Sequence, residues 1–307
     1  MKAITITRSL LSAAVMALAI AASATAAEPR AESDIPYLGP DRAEKLDAYL
    51  PPASFARPLP AVLLIHGGGW RIGDKADARE RNIGHTLASH GYVVFSVNYL
   101  LNVGEKDPTT GKFLTTRFAW PQNLYDCKSA LRFIRAESAR FGIDPERIAV
   151  MGGSGGARLA QLLGATVHHD AFNRHGLYTD QSNAVSCILS FYGNYDIRGT
   201  HQFADLPPDE ASVKQAEASA ITYLDKHTPP VFITHGSADK TGPVEHSRQL
   251  AEHLRRLGVD YWYVEIAGAP HSYHLQPKQM DLRPTVLAFL AKHLGQPARV
   301  LPNPDAP

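Results

Sequence analysis

AVMGGSGG occupies residues 149–156. A short apolar run passes straight into glycines that bracket a single serine, Ser154. A serine among glycines suits a flexible turn, a phosphate cradle or the seat of a nucleophile. The cradle fails on composition. GGSGG lacks the Gly-Lys-Ser/Thr end of a phosphate-binding loop and does not fit G-x-G-x-x-G. What remains is G-x-S-x-G, from Gly152 to Gly156. Between a strand and a helix, that pattern is the context of a nucleophile elbow. The glycines have a steric reason. A sharp strand-to-helix turn strains the serine backbone and presses together the residues two before and two after it, where side chains would collide. The motif alone still leaves a bare turn open.

The flanks supply the context. RIAVM (147–151) suits a strand and ARLAQLLGAT (157–166) a helix. AVLLIHGGGW (61–70) and YVVFSVNYLL (92–101) are apolar runs without alternation, as in strands buried on both faces of a sheet. Further strands are expected within 184–193, 229–237 and 260–268, and two short extended segments at 34–39 and 45–51. Helices are expected over 76–90, 120–142, 244–258 and 284–295. Gly91 and Gly142 are placed to stop two of them, and Pro121 stands near a start. Residues 102–117 are expected to form a surface loop, and 197–228 a polar stretch with some helical character. Strands and helices alternating in this way predict an α/β fold with a mostly parallel central sheet covered by helices on both faces. Ligands bind such sheets at the carboxyl ends of the strands. That points to the segments after Ile65, Met151, Ile233 and Ile266.

Reactive residues stand in those segments. A serine hydroxyl needs a base to take its proton, and the base needs an orienting acid. Asp239 follows one strand and His271 another, in the chain order Ser154, Asp239, His271 that α/β-hydrolases use. Each has rivals. Asp196 follows an earlier strand, His274 lies three residues beyond His271, and His235 ends its strand but precedes the acid. We favour Asp239 and His271. His66-Gly67-Gly68-Gly69-Trp70 fills the fourth segment. Acyl transfer passes through an oxyanion that needs preorganised donors, each worth about 3–4 kcal/mol. The backbone amides of Gly68, Gly69 and Gly155 are the candidates for that oxyanion hole. His168, His169 and Asp170 are expected to face solvent rather than a metal ion.

HGGGW (66–70), GGSGG (152–156), Asp239 in HGSADKTGPVEHS (235–247) and His271 in GAPHSYH (268–274) together resemble the α/β-hydrolase esterases. The chain is similar to the HGGG-bearing, hormone-sensitive-lipase-like group and to the bacterial hydrolases of bifunctional feruloyl/acetyl-xylan esterase type, from about residue 40 to 295. It departs from their common GxSAGG in carrying Gly155 after the serine. The resemblance implies ester hydrolysis through an acyl-serine intermediate, with no metal or organic cofactor. It implies small-molecule or polysaccharide substrates, acetyl or feruloyl esters among them. A serine peptidase of the prolyl-oligopeptidase type shares the fold and the triad order, but HGGG stands against it. A non-catalytic binding protein on this fold would be expected to have lost triad members, and all three are present.

The chain has 307 residues, 44% hydrophobic and 20% charged, ordinary values for a globular protein. With no long linker, repeat or low-complexity tract, one α/β-hydrolase domain is expected over 27–307. Ahead of it, Lys2, Arg8, the apolar run 10–22 and Ala24-Thr25-Ala26 match a signal peptide over 1–26. The run is shorter than the ~20 residues a membrane span needs. An exported protein, periplasmic or secreted, with no stable span after cleavage is therefore expected. Removing 1–26 takes the formal charge from +1 to −1, which offers no electrostatic footprint for nucleic acid. Two cysteines, Cys127 and Cys187, leave pairing open, with buried free thiols preferred. The substrate pocket is expected from 102–117 and 197–228. Trp70, Tyr192, Tyr195 and Phe203 are candidates for its wall, core packing being the expectation for at least two of them.

Overall fold

The structure, a computed structural model, describes residues 28–300, so the leader expected at 1–26 lies outside the described residues. The chain lays down β1 (Arg30–Ile35), β2 (Leu46–Leu50) and β3 (Leu59–Ile65), then α1 (Ala78–Ala88) and β4 (Val93–Val97). A hairpin of β5 (Val103–Lys106) and β6 (Phe113–Arg117) leads to α2 (Gln122–Ala136) and the single turn α3 (Ser138–Phe141). Next come β7 (Ile143–Gly153), α4 (Gly155–Ala165), α5 (Asp170–Asn173), β8 (Cys187–Phe191) and α6 (Pro208–Glu217). The last elements are β9 (Val231–Gly236), α7 (Glu245–Leu257), β10 (Tyr261–Ile266) and α8 (Arg283–Leu294).

Eight strands form one sheet in the order β1-β2-β4-β3-β7-β8-β9-β10. The pairs β1–β2 and β2–β4 are antiparallel, and every pair from β4 to β10 is parallel. The apolar runs explain the arrangement, because strands covered on both sides must be apolar on both sides. Leu63, Ile65 and Val150 meet Leu124, Leu131 and Ile134 of α2 and Leu159 and Leu163 of α4. Their neighbours in the chain, Val62, Leu64 and Met151, meet Ile83 and Leu87 of α1 and Val286, Phe289 and Leu290 of α8. Each such side chain, fully buried, contributes about 1.5–3 kcal/mol. The cysteines divide between these layers. Cys127 on α2 is buried on the first face and Cys187 on β8 on the second, and both are free thiols. Among the described residues no helix is long and apolar enough to cross a membrane.

Two expectations change. The segment 102–117 is a β-hairpin rather than an irregular loop. Its strands are mostly exposed, so no apolar pattern advertises them. Asn102 fixes its base: the amide donates to the Trp70 carbonyl at 2.7 Å, and Oδ1 accepts from the Ala119 amide at 2.7 Å. The Thr115 amide donates to Asp205 Oδ2 at 2.7 Å, tying the hairpin to the 197–228 segment. The run 92–101 is strand only as far as Val97. Asn98 leaves the ladder to brace the turn before α1, its Oδ1 accepting from the Lys75 amide and its Nδ2 donating to Asp74.

Candidate active site

The ends of β3, β7, β9 and β10 are parallel and lie at one edge of the sheet, so the segments that follow them meet. Ser154 stands between β7 and α4 with φ 54° and ψ −120°, a left-handed backbone rare for a residue with a side chain. Its amide donates to the Phe191 carbonyl at the end of β8, 2.9 Å away. The glycines around it are held by contact. A Cβ on Gly152 would lie 2.2 Å from the Gly156 oxygen, and a Cβ on Gly156 would lie 2.3 Å from the carbonyl oxygens of both Ile65 and His66. These neighbours are backbone, so no rotamer relieves the clash. Gly156→Ala is expected to destabilise the protein by about 2–4 kcal/mol. The urea midpoint reads it. A variant that unfolds where the parent does would show that the turn has room.

Ser154 Oγ lies 3.0 Å from His271 Nε2, and His271 Nδ1 lies 2.6 Å from Asp239 Oδ2. The other carboxylate oxygen, Oδ1, accepts from the amides of Thr241 at 2.8 Å and Gly242 at 2.9 Å. Burial pushes the Asp239 carboxyl up, but the Gly242 amide, the His271 ring and the Thr241 amide outweigh it and hold the group below the ordinary carboxylate value. A fixed anion on Nδ1 keeps that nitrogen protonated and leaves Nε2 free to accept. Such an arrangement can take the proton of a hydroxyl in its ground state and return it to a leaving group.

The HGGGW loop backs onto the elbow. A Cβ on Gly67 would lie 3.3 Å from Ser154 Cβ, and a Cβ on Gly155 would lie 3.1 Å from the Gly69 nitrogen. The amides of Gly69 and Gly155 therefore belong to adjoining backbone. Gly68 is shaped by its own turn: φ is +93°, and a Cβ would sit 1.9 Å from the Ile72 oxygen. Trp70 joins loop to elbow directly, its Nε1–H donating to the Gly155 carbonyl at 3.0 Å. Its ring carries the Arg158 guanidinium at 4.5 Å and stacks on Trp120 with centroids 5.8 Å apart. The Tyr99 hydroxyl donates to the His66 carbonyl at 2.9 Å, and its ring stacks on the His66 imidazole. Burial lowers the His66 pKa, so that ring is neutral support.

Two of the three rivals, Asp196 and His274, have partners elsewhere. Asp196 pairs with Arg198 at 2.6 Å, and His274 Nδ1 accepts from the Gln276 amide at 2.9 Å. His168, His169 and Asp170 are exposed. Trp70, Tyr192, Tyr195 and Phe203 are all buried, as packing residues are. Tyr192 is also part of the site's surroundings, its ring edge-on to His271 with centroids 4.8 Å apart. Two contacts escape the motif reading. His235 also reaches Asp239 Oδ2, at 3.0 Å. Arg79 of α1 spreads its guanidinium over the Tyr192 ring and donates to the Tyr273 carbonyl. A histidine near the end of a strand, four residues before the acid, is a sequence signal for the first; nothing local marks the second.

Comparison with known proteins gives a consistent picture. The sequence model of the BD-FAE family matches residues 46–254. The esterase LipQ of Mycobacterium tuberculosis is 28% identical over 257 residues, 79% of this chain and 57% of LipQ. The chain thus spans little more than half of that relative. A truncated carbohydrate esterase from gut microbiota superposes with a TM-score of 0.71 at 22% identity, over 89% of this chain and 99% of that one. An acetyl ester-xyloside bifunctional hydrolase from Caldicellulosiruptor lactoaceticus superposes with a TM-score of 0.66 at 25% identity, over 83% and 90%. The architecture is that of the α/β-hydrolase fold.

Proposed function

The chain belongs to the BD-FAE family, and from that membership and the geometry above we propose that the protein is a serine carboxylic ester hydrolase. The line Ser154 Oγ, His271 Nε2, His271 Nδ1, Asp239 Oδ2 carries the reading. Ser154 Oγ attacks the ester carbonyl carbon while His271 Nε2 takes the hydroxyl proton. The amides of Gly68, Gly69 and Gly155 hold the oxyanion of the tetrahedral intermediate. As the C–O bond to the alcohol breaks, His271 returns the proton to the departing oxygen and an acyl-serine remains. Water, deprotonated by the same nitrogen, attacks the acyl carbon and frees the acid and Ser154. Asp239 stays ionised and steadies the imidazolium. Only this chain's groups and water enter these steps.

Acetyl or feruloyl esters of polysaccharides are the proposed substrates, supported by the name of the acetyl ester-xyloside hydrolase that the chain resembles. Export through a leader at residues 1–26 fits a polymeric substrate outside the cell. The hairpin β5–β6 is the proposed wall of the acyl or alcohol site, since Asn102 ties its base to Trp70 and Arg71 lies over its Phe113 ring at 5.5 Å. A substrate panel tests the reading: acetylated xylan, methyl ferulate, p-nitrophenyl acetate, longer acyl esters and a prolyl aminoacyl amide. Short esters are expected to turn over at least 100-fold faster than the amide, in the sense of roughly 3 kcal/mol of barrier difference. An amide cleaved faster than every ester would make the protein a peptidase. A Ser154 that no fluorophosphonate labels would make it a binding protein.

A further inference from the structure

His235 is the penultimate residue of β9 and is fully buried. Its ring does not touch Ser154, yet it engages the same carboxylate. Nε2 lies 3.0 Å from Asp239 Oδ2 and 2.8 Å from the Gly242 carbonyl oxygen, and Nδ1 lies 2.7 Å from Ser247 Oγ on α7. These partners settle the tautomer. A carbonyl oxygen and an ionised carboxylate only accept, and both meet Nε2. Nε2 therefore carries the proton, and Nδ1 accepts from the Ser247 hydroxyl. Burial lowers the pKa of this ring, which favours the neutral form.

Asp239 Oδ2 consequently receives two imidazole N–H groups, one from His271 at 2.6 Å and one from His235 at 3.0 Å. Each donor draws on charge that the other also uses, because hydrogen bonds to a carboxylate stabilise its anionic form and reduce its basicity. The geometry points to His235 as a positioning residue: it shares Asp239 Oδ2 with His271, fixes the plane of the carboxylate and moderates how strongly Asp239 stabilises a protonated His271. The inference rests on the reading of Ser154, His271 and Asp239 as the reacting line. The other titratable groups around the two rings are His246 of α7, Glu265 of β10 and Tyr192 after β8. Burial lowers the His246 pKa, and Glu265 is paired with Arg248. Asp239 is the anion in hydrogen-bonding contact with both rings.

His235→Leu removes the donor and keeps an apolar side chain in the space, while His235→Gln returns an amide N–H to the position of Nε2. Two measurements apply. One is the proton resonance of His271 Nδ1–H, recorded by NMR without substrate. The other is the pH profile of kcat/KM for p-nitrophenyl acetate. In His235→Leu the Asp239–His271 bond keeps more of the carboxylate's charge. The resonance is expected to move downfield, and the acidic limb to move up by about 0.5–1 pH unit, the equivalent of one hydrogen bond. His235→Gln is expected to bring both back toward the parent. A folded His235→Leu with lower kcat but an unmoved limb and resonance, and no rescue by Gln, would reduce His235 to a space-filler and overturn the proposal. If His235→Leu does not fold, Ser247→Ala frees the ring from its outer partner and is expected to shift both readouts in the same direction by less. An unmoved pair of readouts there overturns the proposal equally. A moved resonance in a protein that hydrolyses no ester supports the positioning and rejects the reaction, so the two failures read differently.

Discussion

Ser154→Ala is expected to lower kcat for p-nitrophenyl acetate by about 10⁵–10⁶-fold, the scale on which serine hydrolases lose activity with their nucleophile. The substitution removes one atom, Oγ, whose partner is His271 Nε2. Everything that shapes the turn remains: the amide still donates to the Phe191 carbonyl, and Gly152 and Gly156 still pack on backbone. Alanine meets the same unfavourable φ of 54° that serine already occupies, so the backbone term cancels. Thermal unfolding should therefore stay within a few degrees of the parent. The residual rate should come from the backbone amides beside the elbow, which the substitution leaves in place. A variant that keeps a hundredth of the activity or more would remove Ser154 from the reaction.

Asp239→Asn is expected to cost about 10⁴-fold in kcat near neutral pH, and the structure shows why a near-isosteric change should do so. All four contacts of the carboxylate are with donors. Oδ1 meets the amides of Thr241 and Gly242, and Oδ2 meets the rings of His271 and His235. An asparagine must turn its NH₂ toward one pair. Backbone amides cannot become acceptors, so the NH₂ goes to the ring side. His271 Nδ1 must then accept, which moves its proton to Nε2, the nitrogen that has to receive the proton of Ser154. His235 Nε2–H loses the carboxylate as an acceptor and keeps only the Gly242 carbonyl. Steady-state kinetics and unfolding measured together check both parts. Full activity at unchanged stability would show that Asp239 does not orient His271.

Much of this site is legible in one dimension, for a physical reason. Gly152, Gly156, Gly67 and Gly68 stand where backbone approaches backbone, and such a restriction leaves its mark on residue type at the position itself. Asp239 and His271 are legible because they follow apolar runs that must be strands, and the carboxyl ends of parallel strands converge. The double occupancy of Asp239 Oδ2 is only partly written locally: His235 stands four residues before the acid, but its ring is held from a distance. The loop after Asp239 brings the Gly242 carbonyl to Nε2, and the first turn of α7 brings Ser247 to Nδ1. The bond from Trp70 to Gly155 spans 85 residues and depends on how β3 and β7 pair. The hairpin 103–117 escapes pattern reading because its two strands are mostly exposed and bury no continuous apolar face.

The placement of the cysteines has a consequence for covalent chemistry. Cys127 and Cys187 lie in separate apolar layers with the central sheet between them, so the native chain has no thiol pair to oxidise. Burial also raises both thiol pKa values, suppressing the thiolate that oxidants and disulfide exchange require. The folded protein thus depends on no disulfide, and neither a reducing nor an oxidising medium alters a covalent bond between its cysteines.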